Sequence, residues 1–395
     1  MGQPVIQEIT LRNFLSFGPE TPPFEMKPLN VLIGPNASGK SNFLNALAIC
    51  TVLPTDGLER VISDGGGAEE WIWKGAGTSG SATLELVVDW NGPEDGIFRP
   101  PLRHRFEFRS KENRVELVAE SISDTIVIDP RGIPWQHYVY KNGIARVAMT
   151  SPAATKEVEV HLNKSILAQL KYPDRSLAPN RLDATYRGIR MYRDWSIGAT
   201  STVRYFQRSD LPTNPLEEDL SNLALFVNHL SDNPSVKRNL LNYLRDLYPE
   251  FEDIRTPVKG GRIQISFQER GVTIPATRLS DGTLRYLCLL TILLNPEPPP
   301  VVCIEEPELG LHPDLLPKIA DLMVEASERM QLVVTTHSDI IIDALTEHPE
   351  CVVVCEKGEG GTEMKRLDGE KLKGWLEDYR LGALWMKGQI GGTRW

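Results

Sequence analysis

The chain has 395 residues, of which 41% are hydrophobic and 24% charged, and its formal net charge is −10. The composition is typical of a folded globular protein, and the acidic balance argues against broad nucleic-acid binding. No run of about 18 apolar residues occurs and no basic-then-apolar leader starts the chain, so neither a membrane span nor a secretion signal is predicted. The length suits two or three packed units, or one large domain with an insertion.

The five cysteines are odd in number and scattered along the chain. In a long chain without a secretion signal, this usage is typical of buried, reduced thiols. Neither cysteine nor histidine forms a cluster with zinc-ligand spacing. These observations predict a cytoplasmic protein without a structural zinc site.

The first elements predicted in chain order are a strand over 6–14 and a short apolar strand over 29–33. A glycine-rich loop follows, and then an apolar pattern at helical spacing that includes Phe43, Leu44 and Leu47. Strand, loop and helix in this order provide the context that a phosphate-binding loop requires.

The loop Gly34-Pro-Asn-Ala-Ser-Gly-Lys-Ser41 matches G-x-x-x-x-G-K-[ST]. Glycines let the main chain wrap closely around phosphate, and a helix N-terminus adds positive partial charge. Lys40 is expected to reach the β- and γ-phosphates of ATP, and the Ser41 hydroxyl to ligate Mg²⁺. The candidate nucleotide-binding residues of this loop are Gly34, Asn36, Ser38, Gly39, Lys40, Ser41 and Asn42.

The middle of the chain has a strand pattern followed by a mainly helical one. Alternating apolar residues over 81–128 predict an antiparallel sheet, and 155–250 is predicted to be mainly helical. From 101 to 210 the net charge is +6, against −10 for the whole chain. A polyanion would bind here if anywhere, and the alternative is a solvated face whose basic groups pair with acids. The arginines concerned are Arg175, Arg181, Arg187, Arg190, Arg193, Arg204 and Arg208.

From 262 onward, strands and helices alternate, which predicts a parallel sheet. The expected elements are a hairpin turning at Arg270-Gly271, a helix over 283–294, strands over 301–304, 332–335 and 351–355, and helices over 313–330 and 339–345. The predicted organisation is an N-terminal lobe over 1–150, a mainly helical basic insertion over 151–260, a C-terminal lobe over 261–360 and a partner-docking tail over 361–395, rich in tryptophan.

Two acids end the apolar run Val301–Ile304, which is the Walker B pattern of nucleotide hydrolases. Glu305 stands where aspartate is more usual and is expected to hold Mg²⁺. Glu306 is expected to polarise the attacking water. The alternative is a pair of acids that merely cap a strand, which the phosphate loop upstream disfavours.

With these motifs in order, the chain resembles the ABC-like AAA ATPases of the SMC, RecF and OLD branch. The resemblance rests on NFLSF at 13–17, the phosphate loop, LSDGT at 279–283, IEEPELGLHP at 304–313 and TTHS at 335–338. It implies an α/β P-loop fold of the ABC-head type, with an antiparallel or mixed N-lobe sheet, a parallel sheet flanked by helices and a mainly helical insertion.

The resemblance also implies site residues. Ser280 and Gly282 would form a signature loop that serves the ATP of a second head, and His337 would be the switch histidine at the γ-phosphate. The family's Q-loop glutamine has two candidates, Gln136 and Gln207. The implied cofactors are ATP and Mg²⁺, and the implied assembly is a homodimer closed around ATP, or a multiple of it.

Only 57 residues follow Ser338, so the nuclease domain of OLD proteins is expected to be absent, as is a long coiled coil. The favoured hypothesis is an ATP-driven regulator of a separate effector, a nuclease or toxin, in bacterial anti-phage defence. The first alternative is a RecF-like DNA-repair ATPase that binds DNA through the Arg175–Arg208 region. A transporter subunit is the least favoured.

Overall fold

The computed structural model describes residues 2–75, 80–89, 99–127, 134–148, 155–170 and 178–392. The chain divides into two discontinuous units. Unit 1 contains Met1–Gly2, Arg190–Val352 and Asp368–Gln389, and unit 2 contains Gln3–Ile189, Val353–Leu367 and Ile390–Trp395. The predicted insertion over 151–260 is therefore split at Ile189, and its two parts belong to different units.

The strands are β1 (Ile6–Arg12), β2 (Phe24–Glu25), β3 (Leu29–Ile33), β4 (Ser81–Val88), β5 (Leu102–Lys111), β6 (Arg114–Asp124), β7 (Gln136–Lys141), β8 (Ile144–Ala148), β9 (Thr155–Val158), β10 (Ile189–Tyr192), β11 (Gln207–Arg208), β12 (Phe251–Arg255), β13 (Val258–Lys259), β14 (Arg262–Ile263), β15 (Ser266–Glu269), β16 (Val272–Pro275), β17 (Val301–Glu305), β18 (Gln331–Thr335), β19 (Val352–Gly358) and β20 (Gly361–Arg366).

The α-helices are α1 (Lys40–Val52), α2 (Leu58–Asp64), α3 (Ile166–Gln169), α4 (Ala178–Gly188), α5 (Leu223–Ser231), α6 (Pro234–Leu247), α7 (Asp281–Leu293), α8 (Leu316–Ala326), α9 (Asp339–Ala344), α10 (Gly369–Leu376) and α11 (Leu381–Met386). Short 3-10 helices cover Ala68–Trp71, Thr202–Arg204, Ala276–Arg278, Pro313–Leu315 and Pro349–Cys351.

Unit 2 is built on an eight-stranded sheet in the order β2-β1-β4-β5-β6-β7-β8-β9, with antiparallel neighbours. Its strands alternate as expected for a sheet with one covered face. On β5, every second residue from Leu102 to Phe108 is buried, while Arg103, Arg105 and Glu107 between them are partly exposed. The antiparallel sheet predicted over 81–128 is confirmed.

A buried carboxylate ties this sheet to the segment that follows it. His104 Nε2 lies 3.1 Å from Glu120 Oε1, and the Ser165 hydroxyl and the Ile166 N–H donate to the two oxygens of Glu120 at 2.5 and 2.8 Å. His104 Nδ1 lies 3.0 Å from the Tyr186 hydroxyl. Because a buried charge is costly without partners, these bonds let Glu120 remain in the core of unit 2.

Unit 2 also holds the phosphate-loop strand. Strand β3 is buried along its whole length and lies next to β19, which forms an antiparallel hairpin with β20. A strand buried on both faces reads as a continuous apolar run, as Leu29–Ile33 does apart from Asn30. Helix α1 begins at Lys40, and the loop between strand and helix is the predicted one.

Unit 1 contains β10, β17 and β18 as neighbouring strands, with β17 and β18 parallel. Glu305 is the register partner of Thr335, so both strands end at one edge. Helix α7 is almost fully buried, and α8 and α9 each bury one face. Two three-stranded sheets complete the unit, β11-β14-β13 and β12-β15-β16. The parallel pairing of the strands predicted at 301–304 and 332–335 and the hairpin at Arg270-Gly271 are confirmed.

The α/β fold class with its antiparallel sheet, parallel strands and flanking helices is thus confirmed. The helix predicted over 313–330 is shorter, because a 3-10 turn occupies Pro313–Leu315 and α8 ends at Ala326. All five cysteines are buried and none forms a disulfide, and burial raises the thiol pKa of Cys288 and of Cys355 to about 12. In the ranges that the structure describes, no helix combines the length and the apolar character needed to cross a membrane.

Candidate functional site

The phosphate loop of unit 2 tolerates only glycine at its two ends. Gly34 has φ +145°, and a Cβ there would lie 2.2 Å from the carbonyl oxygen of Cys355. Gly39 has φ +103°, and its Cβ would lie 2.2 Å from Thr362 Oγ1. A side chain at either position would collide with β19 or β20 and strain the main chain. The loop therefore follows a close path that larger residues could not take.

Lys40 and Ser38 have the chemistry of a site for an anion. The buried Lys40 ammonium donates to the carbonyl oxygens of Gly34 and Pro35 at 2.7 and 3.0 Å. The Ser38 hydroxyl is buried, and its oxygen has no hydrogen-bond partner within the described ranges. Buried hydroxyls are normally bonded, so an unpartnered one beside an ammonium and a helix N-terminus indicates a ligand with strong acceptor oxygens.

The remaining predicted residues of the loop surround this point. Asn36 is exposed at the tip of the loop, Ser41 is exposed in the first turn of α1, and Asn42 is half-buried beside it. Thr362 on β20 donates to the main-chain oxygen of Ser38 and to the Ser16 hydroxyl at 3.1 and 2.7 Å. Strand β20 thus fixes the loop from a position far along the chain.

A cavity of about 370 Å³ adjoins the loop in unit 2. It shares Thr362 and Phe43 with the surroundings of the phosphate loop. Its walls are mostly apolar and come from β1, β2, α1 and β20, with Ile9, Leu11, Phe17, Phe24 and Met364 as the larger apolar side chains. A cavity of this size and character suits a flat, mostly apolar group such as a nucleobase.

In unit 1 the structure brings Glu306 and His337 together. Glu306 has a left-handed main chain with φ 48°, and its N–H donates to the Thr335 carbonyl at 3.0 Å. Its carboxylate oxygen lies 3.7 Å from His337 Nε2, and both side chains are partly exposed. Left-handed geometry costs a non-glycine residue about 1–3 kcal/mol and concentrates at functional sites. The main-chain conformation at the end of β17 therefore places the Glu306 carboxylate beside the His337 ring.

Glu308 supports this arrangement, although no site role was predicted for it. Its carboxylate accepts the His337 main-chain N–H at 2.6 Å. Burial raises the pKa of Glu308, and the hydrogen bond from His337 opposes that rise. The signal in the sequence is the acid two residues after Glu306 in EEPE. Glu308 thus holds the main chain of the segment that carries the histidine.

Glu305 is gripped from the segment that follows β10. The Arg193 guanidinium donates to its carboxylate at 2.9 Å, and the Trp195 indole donates to its main-chain oxygen at 3.1 Å. Neither candidate for the Q-loop glutamine is shown to contact Glu305. Gln207 is buried and bonded to the main chain of Leu220 and Ala224, and Gln136 is exposed on β7. The side chain that reaches the Walker B acid is an arginine.

The signature loop begins helix α7. Ser280 is the N-cap, and its hydroxyl accepts the Thr283 N–H at 3.1 Å. A Cβ on Gly282 would lie 2.6 Å from the Gly310 carbonyl oxygen, so only glycine fits there without displacement. Ser280 and Gly282 are exposed or half-exposed at the helix start. The start of α7 is therefore accessible to a ligand.

Arg204 fixes the main chain that leads into this loop. Its buried guanidinium donates to the carbonyl oxygens of Leu279 and Ala276 at 2.6 and 3.2 Å and also pairs with Asp281. Its Nε lies 3.2 Å from the carbonyl oxygens of Ile197 and Gly198. One side chain thus gathers the carbonyl groups that precede the signature helix, a role that the basic composition did not indicate.

The other arginines of the expected basic surface also bind within the chain. Arg181 is buried and donates to the Pro100 carbonyl oxygen at 3.1 Å. Arg187 pairs with Asp183, and Arg208 pairs with Asp210. Arg175 lies outside the described residues. Local acids and carbonyl oxygens therefore engage most of these guanidinium groups, which weakens their interpretation as a DNA-binding surface.

The tail divides into a packed part and an exposed part. Trp385 on α11 is buried together with Leu381 and Leu384, and the helix is held to α9 by a hydrogen bond from Ala383 N–H to Asp343 at 3.2 Å. Helix α10 buries none of its residues, and Trp375 is 50% exposed. Trp395 lies outside the described residues. In the described part of the tail, the large exposed aromatic side chains are Trp375 on α10 and Tyr379 just after it.

Comparison with protein families identifies one match. Residues 29–131 and 198–343 match the family described as "AAA domain, putative AbiEii toxin, Type IV TA system". The two segments cover more than half of the chain and include the phosphate loop, the acid pair and the histidine. No curated protein matches the sequence.

Solved structures with a similar fold are heads of SMC proteins. An SMC head bound to the C-terminal winged-helix domain of ScpA has a TM-score of 0.57 and 16% identity, over 93% of this chain and 99% of that one. A Pyrococcus furiosus SMC head with an extended coiled coil, bound to the C-terminal domain of ScpA, has a TM-score of 0.57 and 14% identity, over 95% and 99%. A Pyrococcus yayanosii SMC head with a coiled coil and joint has a TM-score of 0.51 and 12% identity, over 95% and 99%. At these identities the similarity establishes the fold.

Proposed function

The chain belongs to this family of AAA domains, with the fold of an ABC-like head of the SMC branch, and we propose that it binds and hydrolyses ATP. The observation that carries the proposal is the phosphate loop of unit 2. A glycine at each end, a buried lysine ammonium and an unpartnered serine hydroxyl meet at the N-terminus of α1. This combination supplies donors and positive partial charge to a triphosphate and has little use otherwise.

The oxygen donors available suit Mg²⁺. Ser41 presents an exposed hydroxyl at the start of α1, and Glu305 presents a partly exposed carboxylate at the end of β17. Hydroxyl and carboxylate oxygens are the ligands that this hard cation prefers. When bound, Mg²⁺ neutralises charge on the phosphate oxygens. We assign Ser41 and Glu305 as its protein ligands.

Glu306 is proposed to orient and polarise the attacking water, and His337 to contact the γ-phosphate. Both side chains are partly exposed, so substrate can reach them, and they are 3.7 Å apart. The left-handed main chain of Glu306 and the hydrogen bond from His337 N–H to Glu308 hold the main chain of both residues in place. Fixed groups of this kind lower a barrier because they do not reorganise during the reaction.

The base of ATP is assigned to the 370 Å³ cavity. The cavity meets the phosphate loop at Thr362, so a nucleotide whose phosphates lie at Lys40 has its base on that side. The apolar walls of the cavity favour a flat aromatic ring, at about 25 cal/mol for each Å² of apolar surface removed from water.

We further propose that two copies close around ATP, with Ser280 and Gly282 of one copy serving the nucleotide of the other. Support comes from the exposed start of α7 and from the family resemblance. The assembly is proposed to control a separate effector, a nuclease or toxin. The family description concerns a toxin–antitoxin system, and two of the similar SMC heads carry a partner domain. Purification of the chain with its genomic neighbours tests this point, and recovery of the chain alone contradicts it.

Lys40→Ala protein is expected to bind ATP about 10- to 100-fold more weakly, because one charge-assisted contact to the phosphates is worth about 1.5–3 kcal/mol. The measurement is the Kd for ATP by isothermal titration calorimetry. Lys74→Ala, at an exposed lysine of unit 2 paired with Glu70, is the matched control and should leave the Kd unchanged. An unchanged Kd in the Lys40 variant would remove this loop from the binding site.

Met364→Trp protein is expected to lose affinity for ATP by about tenfold, because the added ring fills the cavity that we assign to the base. Affinity for inorganic tripolyphosphate, which has no base, should stay the same. Lys111→Trp places the same ring at an exposed site of β5 and serves as control. Equal losses for both ligands would mean that the substitution distorts the phosphate loop and would contradict the assignment of the base.

A further inference from the structure

Glu305, the acid assigned to Mg²⁺, already has a cationic partner. Arg193 Nε and Glu305 Oε2 are 2.9 Å apart, and the two side chains are only 25% and 21% exposed. At this burial and distance, the bond is charge-assisted and weakly screened by solvent. The carboxylate that has to receive a divalent cation therefore starts from a neutralised state.

The same short segment also holds the main chain of Glu305. Arg193 and Trp195 follow directly after β10, which is the sheet neighbour of β17. The Trp195 indole N–H donates to the main-chain oxygen of Glu305 at 3.1 Å. Side chain and main chain of the acid are thus fixed from one segment, so the carboxylate is directed at Arg193 rather than left to rotate.

This segment is in turn connected to the signature helix. The Arg285 guanidinium lies 5.4 Å from the centre of the Trp195 ring, and Arg285 Nη1 donates to the Leu309 carbonyl oxygen at 2.6 Å. Arg285 is on α7, three positions after Gly282. The segment that fixes Glu305 is therefore in contact with the helix that carries the signature loop.

From this geometry we infer that Arg193 is a positioning residue that acts as an internal counter-ion for Glu305 and sets the Mg²⁺ concentration at which ATP binds in its metal form. The inference rests on the proposed function, since it concerns the same acid. The Arg193 guanidinium and the metal ion compete for the Glu305 carboxylate. The metal therefore binds only when its interaction with the carboxylate is stronger than the ion pair. Without metal, the guanidinium neutralises the negative charge of Glu305.

The test is the affinity for a non-hydrolysable ATP analogue, measured by calorimetry from excess EDTA through rising Mg²⁺. In Arg193→Ala and Arg193→Gln proteins, the Mg²⁺ concentration at half-saturation should fall about tenfold, because a hydrogen bond to a charged group no longer opposes the metal. Affinity in EDTA should fall about threefold, since the carboxylate is no longer neutralised. Arg193→Lys retains the charge and should change both quantities less than the other two variants do.

Two further proteins make the result specific. Lys318→Ala removes another half-exposed ion pair of unit 1, the 2.6 Å contact with Asp246, and should leave the Mg²⁺ requirement unchanged. In a Glu305→Gln background, Arg193→Gln should have no further effect on that requirement, as a double-mutant cycle demands for a direct pair. Thermal melting of each variant checks that it is folded.

An unchanged Mg²⁺ requirement in all three Arg193 variants, in a parent protein that binds ATP, would overturn the inference and leave the proposed function intact. Independent effects of Glu305→Gln and Arg193→Gln would overturn it equally. A parent protein that binds no ATP would instead overturn the proposed function, and the inference with it.

Discussion

Glu306→Gln protein is expected to hydrolyse ATP about 10²- to 10⁴-fold more slowly than the parent, which is the usual contribution of a positioned general base. The amide keeps the size of the side chain and the main-chain bond to Thr335, so ATP affinity should be unchanged. Because ATP is bound but not consumed, the dimer that we propose should accumulate. Phosphate release measures the first effect, and light scattering with and without ATP and Mg²⁺ measures the second.

The chain offers a matched control for this substitution. Glu350 lies 3.7 Å from His348, the same separation as between Glu306 and His337, but at an exposed turn of unit 1. Glu350→Gln should change neither rate nor mass. Hydrolysis at the parent rate in the Glu306 variant would place the base elsewhere. A slow variant that stays monomeric with ATP would retain Glu306 as base and contradict the dimer.

Arg204→Ala protein is expected to lose about 1–3 kcal/mol of unfolding free energy in unit 1, the cost of leaving buried carbonyl oxygens without a donor. The carbonyl oxygens of Leu279 and Ala276 would be left without their donor, and the start of α7 would no longer be fixed. Urea unfolding followed by circular dichroism measures the loss. ATP-dependent dimerisation should disappear, whereas binding of ATP at the phosphate loop should persist.

Arg204→Lys separates the two effects. It keeps a positive charge for Asp281 but cannot reach all the carbonyl groups, so a smaller loss of stability with an equally strong loss of dimerisation is expected. Arg208→Ala, at an exposed arginine paired with Asp210, is the control. A stable Arg204→Ala protein that still dimerises on ATP would show that the signature loop is shaped without this residue.

The parts of the fold that follow from local patterns were predictable. Alternation over 81–128, the apolar runs of β17 and β18 and the glycine of the hairpin at 270–271 determine structure over a few residues each. The phosphate loop, the acid pair and the histidine were predictable for the same reason, since each motif needs its residues at fixed short spacing. The ends of the helix predicted over 313–330 were harder to predict. Proline is favoured in the first turn of a helix, and Pro313 and Pro317 each mark a possible start.

The parts that the sequence did not reveal depend on pairs distant in the chain. Arg193 and Glu305 are separated by 112 positions, and Arg204 and Asp281 by 77. Nothing in the sequence near either arginine marks it as internal, so a count of charges groups both with a solvent-facing basic surface. No local sequence pattern indicates such long-range pairs. The same holds for Trp385, whose burial depends on the place of α9.

The contacts of Thr362 also constrain when the phosphate loop can form. Thr362 binds Ser38 and Ser16 across 324 and 346 positions, and unit 2 takes its last two strands from Val353–Leu367. Ribosomes add about 5–20 residues per second, so the first part of unit 2 waits roughly ten to thirty seconds for its last strands. A nascent chain therefore carries an unsupported phosphate loop until β20 has been made, 324 positions after Ser38, and it becomes able to hold nucleotide only then.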